Sequence, residues 1–180
     1  INVPVRKEIM NIFVLDTDPV IAAQLQCDKH VVKMILETAQ LLCTAHRVLD
    51  KVVSDVMYKK THENHPCAIW VRESTENYEW TYQHFLALCD EYTFRYKKTH
   101  LTDKKMRELL KTPPINTPIK PMTKFKLAMG TNPECIGPDP VLSYKKYYTT
   151  KLDKFDMRWT ARPVPAWMQY GTEEYEKLVA

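Results

Sequence analysis

Glycine is nearly absent: Gly130, Gly137 and Gly171 are the only three in 180 residues. The chain therefore holds no GxGxxG turn, no P-loop and no GxSxG elbow, which excludes a Rossmann enzyme, a P-loop kinase and an α/β-hydrolase. The five cysteines (Cys27, Cys43, Cys67, Cys89, Cys135) form no CxxC pair and are odd in number. Free thiols in a reducing compartment are expected, with neither a disulfide framework nor a metal site. Cys27 and His30 make a CxxH, but no second pair stands at zinc-finger spacing. The HxE with PCxxC signature of deaminases is missing as well, and no cofactor motif is present. No apolar run nears the roughly 20 residues that span a bilayer, and no signal-peptide pattern opens the sequence, so a soluble intracellular protein without membrane contact is expected.

What is present fits one globular domain, since 44% hydrophobic and 27% charged residues are ordinary proportions. The net charge of +4 is unevenly placed. Lys97 to Arg162 carries 15 basic against 6 acidic residues, whereas the first 80 residues carry 9 against 11. This asymmetry points to a polyanionic partner, nucleic acid or a small nucleotide.

Along the chain, Ile1 to Ile9 read as an extension before the cleaner pattern MNIFVLD, in which Asn11 to Leu15 form a short buried strand or an extended entry segment. Asp18-Pro19 starts a helix, and 27 to 47 continues or resumes it. Cys67 to Tyr96 reads as one long helix without Pro or Gly, and Thr102 to Leu110 as a capped basic helix. Residues 112–140 hold seven of twelve prolines and form a long loop, apolar enough to cover the domain. Helical periodicity returns from Pro140 to Trp159, and Thr172 to Val179 forms a last short helix. The expected fold is mainly α, a single compact domain of four to six helices with one short N-terminal strand.

The stretch CDKHVVKMILETAQLLCTAHR carries the chemistry. At about 100° per residue, His30, Lys33, Glu37, Gln40 and Thr44 share a sector of roughly 80°, with Lys29 on its flank. Val31, Val32, Met34, Ile35, Leu36, Ala39, Leu42 and Cys43 spread over most of the rest, as in a helix enclosed by protein. Amines, an imidazole and a carboxylate beside a core must pair or meet a ligand. Lys29, His30, Lys33 and Glu37 are thus the candidate catalytic groups: amine nucleophile or phosphate clamp, proton carrier and base. A buried Lys33–Glu37 ion pair with a hydrogen-bonded histidine is the structural alternative. A second mixed stripe, containing Asn77, His84 and Arg95, is placed to face the first across a pocket. His65 either caps a helix or joins the site, and Gln40 and Arg72 complete the inner candidates. Tyr144, Lys145, Tyr147, Lys151 and Arg158 offer an aromatic and basic rim for phosphates and bases.

The runs MNIFVLDTDPVIAAQLQCDKHVVKMILETAQLL, NHPCAIWVRESTENYEW, EYTFRYKKTH and SYKKYY, with a late PAW, resemble a family of largely uncharacterised tailed-bacteriophage proteins over Met10 to about Met168. The resemblance implies a viral protein in the host bacterial cytoplasm and brings no reaction or site with it. A distant similarity is to the pyrimidine-dimer DNA glycosylases of phages, small helical basic proteins that use an N-terminal amine as nucleophile. The start of this chain does not match theirs, so no catalytic residue is carried over. Three functions follow: a binder of nucleic acid or nucleotides, extending to an enzyme on a base or nucleotide; a non-catalytic sponge for a small nucleotide immune signal in counter-defence; or a structural or host-interaction protein.

Overall fold

The computed structural model describes residues 10–170 and residue 177. Two 22-residue helices, α2 (Asp28–Leu49) and α4 (Thr75–Tyr96), pack on one another, and shorter helices are arranged around them. Helix α1 (Pro19–Gln24) lies on α4, while α3 (Pro66–Val71) and α5 (Leu101–Met106) lie on α2. Helices α6 (Pro140–Thr149) and α7 (Ala166–Tyr170) follow, with 3-10 turns at Pro133–Cys135 and Thr150–Asp153. Seven α-helices among the described residues exceed the four to six expected, because one predicted helix is split and short ones arise near both ends.

The split falls inside the predicted Cys67–Tyr96 helix. Arg72 ends α3, and Ser74, extended at φ −151° and ψ 158°, caps α4 by accepting the Asn77 amide. A serine acceptor at the right offset starts a new helix as effectively as a proline stops an old one. The helix expected from Thr102 begins one residue earlier, under a His100 cap, and ends at Met106. The predicted Pro140–Trp159 helix stops at Thr149 and tightens into the 3-10 turn, which leaves Leu152 exposed rather than in the core. The core side of α2 matches its apolar pattern through Met34, Ile35, Ala39 and Leu42, but Val32 and Leu36 are exposed.

Among the described residues there is no strand, and the expected one at Asn11–Leu15 is a correction. Residues 10–15 are all buried, as a core strand would be. Their backbone is satisfied differently. The Asn11 carboxamide oxygen accepts the Ile12 and Phe13 amides at 2.8 and 3.0 Å, Leu15 N–H turns back to the Phe13 carbonyl, and Phe13 itself sits at φ 57°. A chain that folds onto its own side chain offers no ladder to a neighbour.

Residues 112–140 form an ordered strap. Asp50 at the end of α2 accepts the Ile115 and Asn116 amides, and the Pro118 carbonyl accepts the Thr75 amide at the start of α4. Farther on, Phe125 packs against Trp70 and Trp80, and the Tyr144 hydroxyl donates to the Lys126 carbonyl and accepts the Ala128 amide. The predicted extension at 1–9 and the last helix from Thr172 lie outside the described residues, Lys177 excepted.

Candidate functional site

One face of α2, the Asn11–Leu15 segment and the region following Tyr147 converge. Phe13, brought inward by its left-handed backbone, stacks on His30 with ring centroids 4.6 Å apart and on Tyr147 at 6.4 Å. His30 is buried, and its Nδ1 lies 2.8 Å from the Tyr148 hydroxyl, which also accepts the Cys27 amide. The Lys151 amine, 8% exposed as a residue, lies over the rings of Tyr147 at 4.7 Å and Phe13 at 5.4 Å. The Phe155 ring meets His30 edge-on and carries the exposed Lys29 amine at 4.4 Å. Lysine amines over aromatic faces are held electrostatically by the ring quadrupole.

One turn along α2, Lys33 and Glu37 approach to 3.7 Å, with side chains 34% and 15% exposed. Burial, with a smaller contribution from the Glu37 charge, pushes the Cys67 thiol of α3 up to about 12. Lys29, His30, Tyr147 and Lys151 thus meet around Phe13 and Phe155, and Lys33 and Glu37 lie farther along the same helix. Gln40 is half-buried farther along α2.

The second stripe has other work. Asn77 donates to the Trp70 carbonyl and to Thr123 Oγ1 and accepts the Thr123 amide, so it clamps the strap to α4. Arg95 is fully buried among Glu91, Asp28 and the Gln24 carbonyl. His65 caps α3 through Nδ1, and Arg72 donates to the Glu63 carbonyl. On the rim, Lys145 lies 5.8 Å over Trp167, and exposed Arg158 pairs with Asp156 at 2.6 Å. Sequence reasoning missed Phe13, which it placed in the Asn11–Leu15 segment, and Phe155, which it placed within the Pro140–Trp159 helix. No periodicity signals a positive φ, and none reveals that a 3-10 turn rotates the residues beyond it.

A family model described as pyrimidine dimer DNA glycosylase matches residues 10–104. The chain belongs to that family. Neither a curated protein nor a solved structure matches it. The glycosylase-family match spans the α2 face, Phe13 and both long helices, whereas Tyr147, Lys151, Phe155 and the strap lie beyond it. A DNA glycosylase family is consistent with nucleic acid as partner, and no helix among the described residues is long and apolar enough to cross a membrane.

His84 gives a measurable signature of the fold. Its Nδ1 lies 2.9 Å from the Pro19 carbonyl, which can only accept, so that nitrogen carries the proton. Nε2 then accepts from the Gln26 amide, which also reaches the Ile12 carbonyl. A proton on Nε2 would set two donors against each other, and burial already pushes the imidazole from 6.5 down to about 4. Because the folded value lies below the unfolded one, the unfolded chain binds more protons between these limits. The His84 contribution is therefore complete above pH 6.5 and lost as pH falls towards 4, by on the order of 3 kcal/mol. Burial lowers His46 in the same direction. Urea denaturation at pH 7, 5.5 and 4 should show the decline, shallower in His84→Gln; an equal decline in that variant would count against His84 as a source.

Proposed function

We propose that the protein excises bases from DNA, with the His30, Lys33 and Glu37 face of α2 as its reaction centre. The observation that carries this reading is the Lys33–Glu37 pair, an amine and a carboxylate 3.7 Å apart on a face within the family-matched stretch. Base excision through an amine needs these two groups. Glu37 takes the ammonium proton, and the neutral Lys33 amine attacks C1′ as the glycosidic C–N bond breaks; the departing base keeps the bonding electrons and receives the proton that Glu37 accepted, which frees the carboxylate again. The new C1′–N link then opens the sugar, with the nitrogen proton passing through Glu37 to the ring oxygen as the C1′–O bond breaks, leaving an imine. Water adds to the imine and restores the amine. His30, oriented by Tyr148, and Lys151 over Phe13 and Tyr147 line the approach for a base and a phosphate. The resemblance to tailed-phage proteins supports this work being done in an infected bacterium, in the host cytoplasm.

Borohydride reduces an imine to a stable amine, so incubation with DNA containing ultraviolet pyrimidine dimers or abasic sites should yield a covalent protein–DNA adduct. The adduct should disappear in Lys33→Ala. An adduct that persists in that variant would move the nucleophile to another amine, and none from the wild type would sink the imine route. Strong thermal stabilisation by free nucleotides, with no adduct on any DNA, would favour sequestration instead.

A further inference from the structure

The strap carries a feature that neither the reaction centre nor the family match uses. From Met122 to Leu127 burial alternates strictly: Met122, Lys124 and Lys126 are exposed, whereas Thr123, Phe125 and Leu127 are partly buried. Lys120, two residues before Met122, is exposed as well. Alternation with period two is that of extended backbone, which sets side chains on one face about 7 Å apart. The inward positions are fixed. Thr123 is bonded to Asn77 and to the Glu73 carboxylate, Phe125 is wedged between two tryptophans, and the backbone at 126 and 128 is bonded to Tyr144. Lys124 and Lys126 therefore share one outward face of anchored backbone, and Lys120 precedes them in the wholly exposed run 118–122.

The charge around these lysines has one sign. Lys111 to Gly130 contains four lysines and no acidic residue. Two carboxylates beside the strap, Glu73 between α3 and α4 and Glu76 on α4, accept from the Thr123 hydroxyl and the Met122 amide and so bind the strap's inner side and backbone.

The geometry points to Lys120, Lys124 and Lys126 as a rail for the phosphate backbone of duplex DNA. Amines set along one exposed strap neutralise phosphates without reading sequence, as a protein that must scan DNA for rare lesions requires. The assignment of duplex DNA, rather than another polyanion, rests on the base-excision reading.

The test is the triple variant Lys120→Gln, Lys124→Gln, Lys126→Gln, compared with the wild type and with a control triple, Lys98→Gln, Lys104→Gln, Lys105→Gln, whose lysines are equally exposed. Binding to an undamaged duplex is measured across salt concentrations. The rail variant should bind on the order of 100-fold more weakly at 0.1 M salt, and its log–log salt slope should be smaller by about 2 to 3, roughly 0.9 for each phosphate no longer neutralised. The control should keep the wild-type slope. A rail variant with wild-type affinity and slope overturns the rail and leaves base excision intact. A reduced slope in a protein that never forms a borohydride adduct keeps the rail and removes the imine chemistry. A wild type that binds no duplex at low salt overturns the rail.

Discussion

Replacing Arg95 with methionine is expected to remove about 3–5 kcal/mol from the free energy of unfolding, the cost of breaking a buried ion pair from one side. Arg95 is fully buried and donates to Glu91 Oε1, Asp28 Oδ1 and the Gln24 carbonyl at 2.9 to 3.0 Å. Its loss strands the 4%-exposed Glu91 with only Arg162 for company and deprives Asp28 of its cation. Asp28 in turn accepts the Thr160 amide and hydroxyl, so the same guanidinium helps tie the chain beyond α6 to the first turn of α2. Removing Glu91 as well, in Arg95→Met with Glu91→Leu, should recover part of the loss, because an apolar pair of similar volume escapes the desolvation that an orphaned carboxylate suffers. Urea denaturation of the wild type, the single variant and the double variant makes the comparison. A single variant within about 1 kcal/mol of the wild type, the worth of a surface pair, would mean that the network holds nothing together.

The second large effect is on rate. Glu37→Gln preserves shape and hydrogen-bonding capacity but cannot accept the proton from Lys33, so base release measured in a single turnover should slow by about 10²–10⁴-fold. Duplex affinity should be unchanged, because the phosphates are held elsewhere. The two measurements divide the roles: a variant that releases bases at the wild-type rate denies Glu37 its proton transfer, and one that loses affinity and rate together makes it a binding residue.

The parts of this molecule legible in its sequence share a physical basis. Helix starts at Asp18-Pro19, His65-Pro66 and Asp139-Pro140 carry a cap acceptor followed by a proline, and each starts a helix in the structure. The stripe on α2 could be read because 3.6-residue periodicity puts Lys33 and Glu37 one turn apart whatever surrounds them. Contacts set by the path of the chain could not be read. Asn77 and His84 share a helix face with Arg95, yet one clamps the strap, one fixes Pro19 and the third anchors the tail. A face common to several residues says nothing of the separate segments that will reach each of them. Asn11–Leu15 has a strand's composition, but its pairing was decided by a side chain within the segment itself.

That self-satisfied segment also sets the order in which the molecule can be completed. Asn11 donates to the Ala128 carbonyl 117 positions away, His30 meets Tyr148 118 away, and Leu25 receives the Trp159 indole 134 away. At a ribosome adding about 5–20 residues per second, the α2 face waits several seconds for the partners that close it. Until then Phe13 and its neighbours must be kept from other apolar surfaces, and the non-local closure that follows slows folding. The surroundings of the α2 face are assembled from both halves of the chain at once, and the earliest described residues are among the last to find their places.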